Sequence, residues 1–194
     1  MIALHWLAGA LILALIALGA MMVHAPLDAA TKFDLYQWHK SFGFLALALT
    51  AAHLVVRLVA IAPPKRSSSP RESRLAAAAQ ASLYVLGFAV ILAGWLLVST
   101  SPLPIPTHFF GGFVIPDIAS ANAALFESAT FAHKWGAWAI AAVAVLHIAG
   151  ALKHHLIDRD DVLTRMLPRL RGKASRRPRP SPCVPTASGR ARPP

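Results

Sequence analysis

Residues 2–23 read IALHWLAGALILALIALGAMMV, 22 positions without one Asp, Glu, Lys or Arg. About 20 apolar residues in a helix cover the roughly 30 Å hydrocarbon core of a bilayer. The run is too long for the roughly 7–15-residue apolar region of a signal peptide, and no Lys or Arg precedes it. It is therefore read as a retained helix, with a short cytoplasmic leader expected ahead of the abrupt start at Met1. Three further apolar runs follow, at about 38–62, 77–98 and 131–152. Charged residues make up only 14% of the chain, against about 25% in a soluble domain. Nearly all of them fall between the runs, which is the pattern of a membrane protein.

The connecting pieces set the organisation. A polar loop is expected near residues 24–37. Pro63 and Pro64 stop the second span, since proline cannot continue a helical hydrogen-bond ladder. KRSSSPRESR at 65–74 reads as a basic flexible loop. Pro102, Pro104 and Pro106 exclude helix after the third span, and residues 107–130, with FFGG and Ile115-Pro116-Asp117, form a longer loop. From residue 169 to 194 the chain is rich in Arg, Pro and Ser without apolar periodicity and is expected to be a disordered basic tail. Residues 1–168 then form one domain: an all-α membrane protein, a four-transmembrane-helix bundle.

The net charge of +11 would suit nucleic acid, but its placement beside apolar spans is explained by the positive-inside rule. With both termini cytoplasmic, all but Lys32, Lys40 and Lys134 of the 19 Lys and Arg residues lie inside. The expected location is a bacterial inner membrane, crossed four times. Trp38, Trp95, Trp135 and Trp138 stand near span ends, where an aromatic belt is placed.

Cys183 is the single cysteine. It can form no internal disulfide, no Fe–S cluster has its ligands, and without C-x-x-C-H any haem lacks thioether links. Nucleotide-binding glycine motifs and a catalytic triad are also missing, and no inverted repeat or broken helix points to a transporter. Redox chemistry rests on the nine histidines.

Ionisable side chains inside a span are costly and usually functional. His5, His39, His53, His133 and His147 fall in three of the spans, and the third span holds none. His39 and His53 are 14 residues apart, as are His133 and His147. In a helix that is a rise of about 21 Å, returning to nearly the same face, some 40° short. Two helices with such stacked imidazoles can grip two haems, one near each membrane surface. Small residues follow both outer candidates, Ser41 and Gly43 after His39, Gly136 and Ala137 after His133, although such residues also let bare helices pack.

LHWL at 4–7, WHKSFG at 38–43, RL at 57–58, GW at 94–95, VIPDI at 114–118, AHKWGAW at 132–138 and LHIAGALKHHLIDRDDVLTRMLP at 146–168 together resemble the bacterial cytochrome b561 family, related to the cytochrome b subunits of nickel-iron hydrogenases. The resemblance covers residues 1–168. It implies two b-type haems per chain. Its axial ligands fall on His39 and His133 for the periplasmic haem and on His5 and His147 for the cytoplasmic one. His53 stands where the family has an arginine or an apolar residue. Geometry alone leaves it as the alternative to His5, which would put all four ligands on the second and fourth helices.

The resemblance further implies electron transfer between a periplasmic redox partner, superoxide among the candidates, and the membrane quinone pool. Whether the carrier is itself a quinone oxidoreductase stays open. The alternative is a haem-bearing anchor subunit of a larger dehydrogenase or hydrogenase, against which the short loops argue. Arg57 and Lys153 at the inner boundary either reach lipid headgroups or neutralise haem propionates, a role given to Arg57. Lys40 and Lys134 suit an anionic donor or the outer propionates. His154 and His155, recurrent in the family at this place, are either exposed or touch a propionate or quinone. His24, His108, Asp158, Asp160 and Asp161 read as solvated.

Overall fold

The computed structural model describes residues 1–60, 70–103 and 105–166. The expected tail at 169–194 and the Pro63-Pro64 stop lie outside the described residues. Four long helices dominate: α1 (Ile2–His24), α2 (Ala29–Val59), α3 (Pro70–Thr100) and α4 (Ala123–Leu156). All four are long and apolar enough to cross a membrane. A short helix α5 (Val162–Met166) follows, and two-residue strands β1 (Thr107–His108) and β2 (Val114–Ile115) pair antiparallel in the α3–α4 connection. The hairpin is the one departure from an all-α chain among the described residues.

The helices outrun the spans read from hydropathy. α2 begins at Ala29, so the expected polar loop at 24–37 shrinks to the residues around Asp28. The Asp28 carboxylate accepts from Thr31 N at 2.9 Å and Thr31 Oγ1 at 2.6 Å, satisfying donors that the first turn cannot pair. α4 likewise starts inside the expected 107–130 loop, where Asn122 Oδ1 accepts from Leu125 N at 3.0 Å. α3 starts at Pro70, inside the expected basic loop; proline suits a first helical position, whose N–H has no intrahelical partner. Hydropathy marks what sits in hydrocarbon. A 31-residue helix is about 46 Å long, and its ends reach water.

The packing is that of a protein dissolved in lipid. Val85, Val145 and Leu146 are about two-thirds exposed, as lipid-facing residues are. Apart from Met22 and Ile140, the buried positions are small or polar, Ser41, Ala46, Thr50, Ser99 and Thr100 among them. Small side chains let helix backbones approach where no hydrophobic effect drives association. α1 packs mainly on α2 and α3 mainly on α4, and the two pairs face each other. One end of the bundle, the hairpin end, is closed by β1 and β2. At the other, the basic end, meet the start of α1, the end of α2, the start of α3 and the end of α4.

The hairpin is tied down by side chains. The Ser41 hydroxyl accepts from Phe110 N at 3.0 Å and has the carbonyls of His108 and Gln37 within reach at 2.9 and 3.0 Å. Lys40 Nζ donates to Pro106 O at 3.3 Å, and Trp95 Nε1 to Pro116 O at 3.1 Å. In the turn itself Phe110 and Gly111 both have positive φ, 49° and 74°, and Gly112 N donates to Phe109 O at 3.0 Å. Positive φ at both central residues is the twist a two-residue hairpin turn favours. Phe110 is an unfavourable residue for it, held there by Ser41.

Candidate haem centres

At the hairpin end, α2 brings His39 beside His133 of α4, with ring centroids 6.1 Å apart and planes at 82°. At the basic end, α1 brings His5 beside His147 of α4, 6.2 Å apart at 65°. His53 of α2 joins the second group, 5.7 Å from His5. Thus the two 14-residue spacings divide between opposite ends of the bundle, and α1 supplies a third imidazole to one end.

An ion held between two imidazoles sets a specific spacing. Two metal–nitrogen bonds of about 2 Å each, plus about 1 Å from each nitrogen to its ring centre, give roughly 6 Å. Both the His39–His133 and the His5–His147 separations match. Among the described residues no three His, Cys, Asp or Glu side chains converge as ligands for a bare ion. Two imidazoles alone suit a metal that brings its other ligands with it, as haem iron does.

The surroundings have the required room. A cavity of about 580 Å³ opens between all four helices at the hairpin end, and His39, His133, Gly43, Gly94, Lys40 and Lys134 are among its lining. Its walls are mainly apolar and are drawn from all four helices. Gly9, Gly43 and Gly150 each have open space where a Cβ would stand, and each lies about one turn beyond a candidate histidine: His5, His39 and His147. The His133 Nδ1 lies 2.8 Å from Val90 O. A carbonyl can only accept, so Nδ1 carries the proton and Nε2 keeps its lone pair for a metal. The His39 Nδ1 is buried without a hydrogen-bond partner among the described residues.

The family model for prokaryotic cytochrome b561 matches residues 1–169. Cytochrome b561 homolog 2 of Escherichia coli (strain K12) is 34% identical over 174 residues, covering 89% of each chain. The chain belongs to the prokaryotic cytochrome b561 family. It is accordingly a membrane-embedded electron carrier, and haem b is the cofactor consistent with that membership.

The other polar residues of this cytochrome b561 are engaged in ways the sequence does not disclose. Arg57, expected at a haem propionate, donates to Gln80 Oε1 of α3 at 2.6 Å. The Tyr84 hydroxyl of α3 and His53 Nδ1 are hydrogen-bonded at 3.2 Å. Asp158 and Asp160 are not merely solvated. Lys153 bridges Glu72 and Asp158 at 2.9 and 2.8 Å, and His154 Nδ1 lies 2.9 Å from Asp160 and 3.1 Å from Asp158. This network joins the start of α3 to the turn after α4, where Arg159 has a φ of 51°. Beyond the turn, α5 folds back so that Trp6 Nε1 donates to Met166 O at 2.5 Å, next to His5. Sequence reading missed α3 altogether as a supporting element, because it carries no histidine. Its only sign was GW at 94–95 within the family resemblance.

Proposed function

We propose that the chain holds two low-spin b-type haems and passes electrons between a donor at the hairpin side and the membrane quinone pool. His39 and His133 are the axial ligands at the hairpin end, and His5 and His147 those at the basic end. The observation that carries the reading is the pair of imidazole separations, 6.1 and 6.2 Å, each of the size two imidazoles would need to hold one iron between them. The cavity at the hairpin end is of the size of small-molecule and cofactor sites, and the open glycines leave space beside three of the four ligands.

Bound there, haem supplies one-electron chemistry; the protein supplies ligands, orientation and a dry setting. His133 is held as the Nδ1–H tautomer by Val90 O. Lys40 and Lys134 line the cavity, and two ammonium groups there favour an anionic electron donor such as superoxide. The hairpin, fastened by Ser41 and Trp95, shields this end. At the basic end Arg57, hydrogen-bonded to the neutral Gln80, offers positive charge toward propionates or lipid, while Lys153 is paired with Glu72 and Asp158 and α5 lies against Trp6 beside His5.

Pyridine haemochrome assay on the purified protein tests the reading. Two haems b per chain are expected, with a low-spin reduced spectrum. One haem per chain removes one of the two sites, and none removes the proposal.

A further inference from the structure

α3 carries no histidine, yet one of its carbonyls governs an imidazole on α4. In an unbroken helix the Val90 carbonyl accepts from the N–H four residues on, which is Gly94. Side chains lean toward the helix N-terminus, so the residue at 94 stands over that carbonyl. Glycine leaves it uncovered, and its second lone pair receives the His133 Nδ1–H at 2.8 Å. The fit admits nothing larger: a Cβ on Gly94 would lie 2.9 Å from both Nδ1 and Cε1 of His133.

A second glycine makes the approach possible from the other helix. Gly136 lies three residues after His133, and a Cβ there would come within 2.6 Å of Val90 Cγ2. Two glycines on facing helices therefore bring the Val90 backbone within reach of the ring. Gly87, two turns before Gly94 on α3, differs. A Cβ there would meet Ile140 Cδ1 and Thr50 Cγ2 at 3.9 Å each, which is ordinary contact.

We infer that Gly94 is a positioning residue: by leaving the Val90 carbonyl open it locks His133 as the Nδ1–H tautomer, with Nε2 presented to the iron. The inference rests on the reading of His133 as an axial ligand. A side chain at 94 displaces the ring, and the ring then loses both its fixed orientation and the hydrogen bond that raises its basicity.

The test compares wild-type holoprotein with Gly94→Ala and Val85→Ala, the latter at an exposed position of α3, reading haem content, the midpoint potential of each haem and the low-spin resonance signals. Gly94→Ala is expected to weaken retention of one haem by about 10- to 100-fold, or to raise the midpoint potential of that haem alone. Val85→Ala is expected to leave both haems as in wild type. A purely structural role for Gly94 would instead move both haems together, and that result, or two unchanged haems, overturns the inference. Alanine at 94 can also block folding, so a second measurement uses no substitution. In reduced, diamagnetic wild-type protein, with ¹⁵N-histidine and ¹³C-carbonyl valine, His133 Nδ1–H is expected to exchange slowly and to couple to the Val90 carbonyl. A fast-exchanging proton without coupling refutes it. Wild-type protein without haem refutes the ligand reading beneath it, and does so before any variant is made.

Discussion

His5 has two imidazole neighbours, His147 at 6.2 Å and His53 at 5.7 Å, so proximity alone does not choose its partner. One local feature bears on it. About one turn beyond His53 stand Val56 and Arg57, whereas its Nδ1 contact with the Tyr84 hydroxyl leaves Nε2 as free as that of His133. Beyond His5 and His147 the corresponding positions are Gly9 and Gly150, with open space at their Cα atoms. His5→Ala is therefore expected to lose one haem or convert it to high spin, whereas His53→Ala keeps two low-spin signals in low-temperature spectra. The reverse outcome would move the ligand from α1 to α2. Tyr84→Phe is expected to leave both haem signals in place, since it frees only His53. The candidate histidines were legible in the sequence from their placement in apolar spans and from the 14-residue spacings. Which ring meets which was not, because that depends on how helices pack; the family resemblance supplied His5. Val90 and Gly94 were illegible for a different reason. A backbone carbonyl leaves no letter, and glycine in a span signals close packing as readily as a ligand's support.

At the scale of elements, the spans were legible because hydrocarbon demands about 20 apolar residues, and their extensions were not because polar helix ends carry no such demand. The start of α2 shows it. Thr31 hydrogen bonds hold the Asp28 carboxyl below its ordinary value, so its cap is fully formed above the unfolded carboxylate pKa and is lost as pH falls through the lowered one. The protection of the Thr31 amide, its exchange rate relative to the intrinsic rate at the same pH, is expected to fall on acidification through that range, and Asp28→Asn to flatten the response. The hairpin was read only as a loop; its order comes from Ser41, a residue on another element. Ser41 is 2% exposed, and removing its hydroxyl leaves Phe110 N without that partner. Phe110 itself is exposed, so its N–H can turn to water, and the loss is that of one ordinary hydrogen bond, about 0.5–1.5 kcal/mol. Ser41→Ala is expected to loosen the hairpin by that order, seen as faster amide exchange at Phe110, while α1 to α4 keep their protection.

For the molecule as a whole, the asymmetry of Lys and Arg is the ground on which we propose that the basic end faces the cytoplasm. A periplasm-active reporter fused after Leu170 is expected to be silent, and an active one would exchange the two sides of the proposed electron path. Both sites also share one continuous helix. His133 and His147 stand on α4 without a break, so the distance between these two candidate ligands on that helix is a count of residues, about 1.5 Å for each. Inserting or deleting one residue between them would swing one imidazole by about 100° around the axis and take it off its partner. Lys134 and Gly136 aside, the letters between the two histidines are therefore free to drift so long as they stay apolar, but their number is not. What a lineage of such proteins must inherit here is a length, and a gap in an alignment of this stretch would mark a chain whose two imidazoles no longer share a face.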